Sequence, residues 1–319
     1  MKELYEASLL ALAEKPVDIV WHPNSEKVAV IMDPRYDKLM VGVIKNFMQY
    51  LNPLGWNLVI ITHEKYADLV EFQGCMLIHI NETRIHYKND EPNIDIDTYN
   101  GLLMSKEFWD FVPGEHILIF QKDCYMYKMF DETIYLNYAF CGANCIWLSE
   151  DNTTYGIAIN GGCSLRKKTD MLECLQKVSW DLIDKHFPKM KLRNEDLFFS
   201  FACKFLGKLL PKREKRHLFS VENEGAINPC FYHGWNKGYQ TEEEAKRLIQ
   251  NSLISPNKIT TNSSLLERGP RYYRQRAMTH NKAGPYVRPR KTGCRLLART
   301  PHQCPHQLLP NHDKNMRPV

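Results

Sequence analysis

Four short stretches of the chain hold residue types able to do chemistry, and their order along the chain carries more weight than any one alone. The first is Asp123, just past the apolar run His116-Ile117-Leu118-Ile119-Phe120. In open α/β sheets ligands gather outside the carboxyl ends of the strands. A carboxylate there can hold a Mg²⁺ or Mn²⁺ that also grips a diphosphate, because hard cations take oxygen ligands and keep positions open for substrate. The plain alternative is a solvated Asp in a turn. The second stretch is Asn160-Gly161-Gly162-Cys163-Ser164-Leu165-Arg166. Paired glycines let backbone approach a ligand closely, and Ser164 and Arg166 can donate to hydroxyls or phosphates. A Gly-Gly pair also makes an ordinary turn. The third is Asn194-Glu195-Asp196, ahead of Leu197-Phe198-Phe199-Ser200-Phe201. Two acids at a helix N-terminus are favoured by the macrodipole, so capping alone accounts for them. A carboxylate held firmly there is equally able to take a proton from a hydroxyl. The fourth is His233, within Pro229-Cys230-Phe231-Tyr232-His233-Gly234-Trp235. Such a histidine is either a packed, hydrogen-bonded ring or a nitrogen ligand completing a metal's coordination.

These residues need a scaffold, and the hydrophobic pattern supplies one. Val28-Ala29-Val30-Ile31-Met32-Asp33 reads as a buried parallel strand ending in a carboxylate. After Pro34, Leu39, Val43, Ile44, Phe47, Met48 and Leu51 share a helical face, which Asn52-Pro53 and Gly55 stop. Strands follow at 57–62, 76–80 and 116–120, with helices expected near 64–73 and over 98–112. The polar stretch 81–97 reads as a surface loop, and 138–166 as short strands with Gly-rich turns. Helices resume over 167–178 and 195–210, and Thr241-Glu242-Glu243-Glu244 is a capping box opening a last helix to about 253. Strands alternating with helices in this way predict βαβ units and a mostly parallel sheet.

Composition bounds the rest. The chain has 319 residues, 44% hydrophobic and 25% charged, the balance of a globular protein. No apolar run is long enough to span a bilayer, and Met1-Lys2-Glu3-Leu4-Tyr5-Glu6 lacks the basic and apolar regions of a secretory signal. The expected setting is therefore cytosol or a viral context. In that setting the ten cysteines read as reduced core thiols, and the sequons at Asn81, Asn152 and Asn262 as unused. The net charge of +5 averages two regions. Residues 258–319 hold 13 Lys/Arg against 2 Asp/Glu, whereas residues 1–257 hold 29 against 35. The expected organisation is an N-terminal extension over 1–26, a globular domain over 27–257, and a basic, disordered tail over 258–319. In the tail, Arg268, Arg271, Arg274 and Arg276 interleave with Tyr272 and Tyr273, a composition able to touch nucleic acid or acidic surfaces. Cys294, His302, Cys304, His306 and His312 have a spacing that fits no standard zinc finger.

Six stretches in fixed order carry a resemblance. They are Val30-Ile31-Met32-Asp33-Pro34-Arg35, then Tyr99-Asn100-Gly101-Leu102-Leu103-Met104-Ser105 with Phe108-Trp109, then Ile117-Leu118-Ile119-Phe120-Gln121-Lys122-Asp123-Cys124. Asn160 through Arg166, Asn194-Glu195-Asp196-Leu197-Phe198-Phe199-Ser200, and Phe219-Ser220-Val221-Glu222 with His233 complete the set. Over roughly 27–240 the chain resembles a poorly characterised family of glycosyltransferase-like proteins related to the GT-A glycosyltransferases. The resemblance implies a GT-A-like, Rossmann-like α/β fold, with a mixed, mostly parallel sheet flanked by helices. It implies transfer of a sugar from a nucleotide-diphosphate donor to the hydroxyl of a glycan or protein acceptor. Asp196, with Glu195 beside it, stands where the base of an inverting enzyme is expected. Asp123 and His233 would hold a divalent metal, Mn²⁺ or Mg²⁺. Asp33, Arg35, Lys122, Asp123, Asn160, Gly161, Gly162, Ser164 and Arg166 would receive the nucleotide sugar. The acidic motif departs from Asp-x-Asp, being Gln121-Lys122-Asp123, and Lys122 can supply part of a cation's charge beside the diphosphate.

Two other functions compete with this one. A nucleotidyltransferase also uses an α/β sheet and a metal carboxylate, but typically carries a Gly-rich, Lys/Arg-bearing loop after its first strand, unlike Asp33-Pro34-Arg35-Tyr36. A non-catalytic nucleotide- or carbohydrate-binding relative would retain the fold without transfer.

Overall fold

The computed structural model describes residues 2–145, 158–187, 192–222, 228–235, 241–254 and 297–299. Helix α1 (Lys2–Ala13) precedes strand β1 (Lys27–Met32), helix α2 (Lys38–Leu51), β2 (Asn57–Thr62) and β3 (Cys75–His79). A short ribbon, β4 (His86–Lys88) and β5 (Glu91–Asn93), leads to α3 (Ile96–Leu103) and α4 (Lys106–Phe111). Then come β6 (His116–Phe120), β7 (Cys124–Met126), α5 (Glu132–Tyr135), β8 (Phe140–Asn144) and β9 (Ile159–Lys167). Helices α6 (Lys168–Lys177), α7 (Trp180–His186), α8 (Glu195–Phe205) and α9 (Arg213–Phe219) follow. The chain continues through β10 (Ser220–Val221), β11 (Phe231–His233) and α10 (Glu242–Ile254), and β12 (Leu297–Arg299) is the last described element.

The main sheet runs β12-β3-β2-β1-β6-β9-β8. β3, β2, β1 and β6 are mutually parallel, β9 is antiparallel to both β6 and β8, and β12 is antiparallel to β3. This is the mixed, mostly parallel sheet flanked by helices that the sequence predicts. Its central strands are apolar on both faces, because each face meets its own core. Ala29, Ile31, Leu58, Ile60, Leu118 and Phe120 enter one cluster with α1 and α2. Val28, Val30, Val59, Ile61, Ile117 and Ile119 enter the other, with α3, α4 and α8. A strand buried on both sides reads as a continuous hydrophobic run rather than an alternating one.

Several expectations hold in detail, and others change for identifiable reasons. Asp37 caps α2 by accepting from the Met40 backbone N–H at 3.0 Å, and Gly55 takes a φ of 83° just after the following turn. The capping box of α10 forms, with Glu244 N donating to Thr241 Oγ1 at 3.2 Å and Thr241 N donating to Glu244 Oε2 at 3.1 Å. The helix expected near 64–73 is instead a 3-10 segment, Glu64–Leu69, whose side chains are not buried. The loop expected over 81–97 contains the β4–β5 ribbon, closed by Asn89 and Asp90 at φ values of 53° and 61°. Two left-handed residues make a tight turn that follows strand twist, so Asn-Asp here acts as a hairpin signal. The helix expected over 98–112 is two helices, because Ser105 accepts from Phe108 N and starts the second. Eight cysteines among the described residues are buried, as expected of core thiols. No helix among the described residues is long and apolar enough to cross a membrane.

At the chain ends, α1 packs across α2 at Gly42, where a Cβ would overlap the backbone of Leu9. Tyr5, Leu9 and Leu12 on α1 are buried. Residues 297–299 add a three-residue antiparallel strand beside β3, too short to leave a periodic signature in the sequence. The rest of the tail, including the arginine-rich stretch and the Cys294–His312 cluster, lies outside the described residues.

Candidate functional site

Strand β9 is where the site is assembled. The sequence offers Gly161-Gly162 either as backbone that approaches a ligand or as an ordinary turn; both glycines sit inside a nine-residue strand. Their missing side chains are occupied by other groups. A Cβ on Gly162 would overlap the His233 ring, and one on Gly161 would lie 2.5 Å from Glu195 Oε1 and 2.6 Å from Arg166 Nη2. Two adjacent glycines thus bring β11 and the start of α8 against one strand. Glycine inside a strand often marks a bulge or a close approach, and here the β8–β9 register also shifts between Cys141 and Ala143.

On the His233 side, a small sheet sets the register. β11 pairs antiparallel with β7 so that His233 faces Cys124, and Gly234 N donates to the Asp123 carbonyl at 2.9 Å. The His233 Nε2 then lies 3.0 Å from Gln121 Oε1 and 3.4 Å from Asp123 Oδ1. Its Nδ1 lies 3.7 Å from Glu222 Oε1. Burial disfavours the imidazolium, but Asp123, by charge and hydrogen bond, and Glu222 outweigh it and push the His233 pKa up to about 9. Glu222 Oε2 accepts from Asn160 Nδ2 at 3.1 Å, and Asn160 Oδ1 accepts from Gly162 N at 2.9 Å.

On the other side, Asn194 stands at the N-cap of α8 without a side-chain cap bond. Glu195 and Arg166 form a bidentate pair, at 2.5 and 2.9 Å, with Arg166 wholly buried. Arg166 Nε donates to Ser164 Oγ at 2.9 Å, and the guanidinium lies over the rings of Phe140 and Phe199. Ser164 and Arg166, expected to donate to a ligand, thus direct their polar atoms inward to hold Glu195. Asp196 differs. Its Oδ2 accepts from Gly161 N at 3.1 Å and its Oδ1 from Leu197 N at 2.8 Å. Burial, then the charge of Glu195, outweigh these hydrogen bonds and Arg166, and raise the Asp196 pKa to about 7.

Asp33, Arg35 and Lys122 form a separate group at the carboxyl ends of β1 and β6. Asp33 Oδ1 accepts from Arg35 N and Nε at 2.9 and 3.0 Å, and its Oδ2 from Nη2 at 3.1 Å. Lys122 pairs with Asp37 at the start of α2. Asp123 follows Lys122 in sequence and stands with His233.

A divalent cation fits the Asp123–His233 corner on donor chemistry. The Asp123 carboxylate and a His233 nitrogen, with Cys124 Sγ, lie within 4.8 Å of one another. Cys124 is the poor member: burial holds its thiol well above its ordinary pKa, and its Sγ donates to the Gly162 carbonyl at 3.2 Å. The Gln121 oxygen on His233 is the better third donor for a hard cation. Gln121 and Glu222 belong to this site although the sequence singles out neither as a site residue. Both stand in stretches that carry the resemblance, where neither is given a role, and each directly follows a strand, after Phe120 and Val221 respectively.

A search among curated proteins finds no match. Among solved structures, the galactosyltransferase LgtC, determined with donor and acceptor sugar analogues, is similar at 10% identity and a TM-score of 0.45, covering 73% of this chain and 98% of that one. Mouse xyloside xylosyltransferase 1 is similar at 10% identity and a TM-score of 0.43, covering 65% of this chain and 97% of that one. The glycosyltransferase GlyE of Streptococcus pneumoniae TIGR4 is similar at 9% identity and a TM-score of 0.36, covering 71% and 60% of the two chains. Residues 82–233, from just before the β4–β5 ribbon to the histidine beside Asp123, match the family described as "Protein of unknown function (DUF5672)".

Proposed function

We propose that the protein is a GT-A-type glycosyltransferase that moves a sugar from a nucleotide-diphosphate donor to an acceptor hydroxyl on a glycan or protein. One observation carries the reading: Asp196, a buried carboxyl with a pKa of about 7, is hydrogen-bonded to Gly161, and the next residue, Gly162, abuts the histidine beside Asp123. A base poised near neutral pH and a corner suited to a diphosphate thus lie against the same strand, β9.

In the proposed reaction the acceptor O–H proton passes to Asp196 as the oxygen attacks C1 of the sugar. The bond from C1 to the diphosphate oxygen breaks, and the diphosphate leaves with the electron pair. C1 passes through an oxocarbenium-like state, the electronic demand also met in glycoside hydrolysis. Attack opposite the leaving group inverts the configuration at C1. A Mn²⁺ or Mg²⁺ held by Asp123 and His233 would neutralise charge on the departing diphosphate. Glu195 and Arg166 hold the first turn of α8 and so fix where Asp196 points. Asp33, Arg35 and Lys122, at the carboxyl ends of β1 and β6, are assigned to the nucleotide, since ligands in such sheets sit outside those ends.

The test begins with a thermal-shift screen of nucleotide sugars, with and without Mn²⁺, to identify the donor. Transfer is then measured with Asp196→Asn, which keeps size and removes the base. Turnover is expected to fall by ~10²–10⁴-fold, the usual worth of general base catalysis. Transfer at the parent rate would remove Asp196 from the role.

A further inference from the structure

Glu222 has no part in the reaction just described, yet it is buried, with its carboxylate shared between two residues of the site. An ionised carboxylate is costly to desolvate unless it is paired and hydrogen-bonded. Its surroundings fix its direction. Gly162 N donates to Asn160 Oδ1, so the amide of Asn160 must turn its NH₂ away, and that NH₂ donates to Glu222 Oε2. The other oxygen, Oε1, then faces His233 Nδ1 at 3.7 Å. Nδ1 makes no hydrogen bond to the protein as it stands. An approach of about 0.5 Å brings the pair within hydrogen-bond range. The opposite nitrogen, Nε2, faces Gln121 and Asp123. The ring itself is pressed against Gly162, where no side chain leaves room for it to swing.

We propose that Glu222 is the positioning residue of His233: it accepts the Nδ1 proton and thereby presents Nε2, as a lone-pair donor, to a divalent cation shared with Asp123. The purpose of that cation rests on the sugar-transfer reading, but its binding does not. A histidine that ligates a metal commonly donates its other N–H to a carboxylate, which sets the tautomer and the ring's orientation. Asn160 acts one step further out, by holding Glu222 in line.

The experiment is Mn²⁺ titration of the full chain, followed by EPR, with no nucleotide sugar present. Glu222→Gln is expected to weaken Mn²⁺ affinity by ~10–100-fold, the usual effect of losing such a partner. Glu222→Asp, which keeps the carboxylate, recovers most of the loss. Pulsed EPR of the parent should show a directly bound imidazole nitrogen, which disappears in His233→Ala. Should Glu222→Gln fail to fold, Asn160→Ala decides the matter, since it leaves Glu222 in place but unaligned and should weaken Mn²⁺ in the same direction. Unchanged Mn²⁺ affinity in whichever of these variants folds overturns the proposal, and so does a parent that binds Mn²⁺ without an imidazole nitrogen or not at all. If sugar transfer is never found but Glu222→Gln still loses Mn²⁺, the positioning role stands and only the transfer reading falls.

Discussion

Glu195 and Asp196 are adjacent acids given opposite tasks by their surroundings. Glu195 meets a buried guanidinium at two points, whereas Asp196 meets backbone N–H groups and the like charge of its neighbour, which outweighs the charge of Arg166 there. Residue type alone does not divide them, although the resemblance favours Asp196 as the base; the partner that sets Glu195 apart, Arg166, lies on strand β9, away from it in sequence. Their variants should therefore part in behaviour. Glu195→Gln leaves Arg166 buried without a counter-charge and should destabilise the fold by about 3–5 kcal/mol, read from urea unfolding. Asp196→Asn should act on stability through pH. The Asp196 pKa rises from 3.8 to about 7 on folding, so its favourable contribution is complete below pH 3.8 and lost as pH climbs through 7. The asparagine variant titrates no proton, so its stability relative to the parent should improve from pH 4 upward and level off above pH 7. A stability difference flat across that range would contradict the raised pKa. In the parent, the rate of sugar transfer should fall on the acid side of about pH 7 as Asp196 takes up its proton.

The elements that hold these residues were readable in unequal measure. β1, β2 and β6 announce themselves because a strand buried on both faces is apolar without a break. Asp123 follows such a strand, and so its place at the sheet's carboxyl edge was expected from the sequence. The stretch 138–166 was not, since Gly142, Gly161 and Gly162 punctuate a local pattern whose cause is non-local. Their neighbours in space are Asn160, Glu195 and His233, and only the last two lie far away in sequence. Gly162 gives the sharpest test of this account. Gly162→Ala sets a methyl group into the His233 ring, which backbone pairing of β11 with β7 keeps in place. It should cost about 1–3 kcal/mol by overpacking and displace Nε2 from Asp123. Mn²⁺ affinity should therefore drop along with stability. Gly101→Ala is the control: beyond its chain neighbours and the backbone of its own helix nothing lies within 4 Å of the added carbon, and Mn²⁺ affinity should stay unchanged.

The ends of the chain differ in kind: composition sets the tail apart, whereas residues 1–26 are what the resemblance leaves uncovered. Residues 1–26 read as an extension, yet Tyr5 stands among Tyr125, Tyr232 and Trp235, with ring centroids 5.3, 5.7 and 6.0 Å away. Tyr232 and Trp235 flank His233 in sequence, so α1 supports the strand that carries it. Beyond α1, His22 N donates to Asn57 Oδ1 at 2.7 Å and Val20 N to Asn52 Oδ1 at 3.0 Å. Burying Tyr5, Leu9 and Leu12 contributes roughly 1.5–3 kcal/mol each. Their sum approaches the ~5–15 kcal/mol by which a whole domain is stable. Deleting residues 2–26 should abolish cooperative thermal unfolding. Deleting residues 258–319 should not: of the described residues it removes one three-residue edge strand, and the midpoint should move by no more than about 4 °C. That second deletion removes a net charge of +11, so any salt-sensitive retention on heparin should go with it while Mn²⁺ affinity stays. If the chain lacking residues 2–26 unfolds with the parent's midpoint, α1 contributes nothing to the fold, and the support it gives to His233 is refuted.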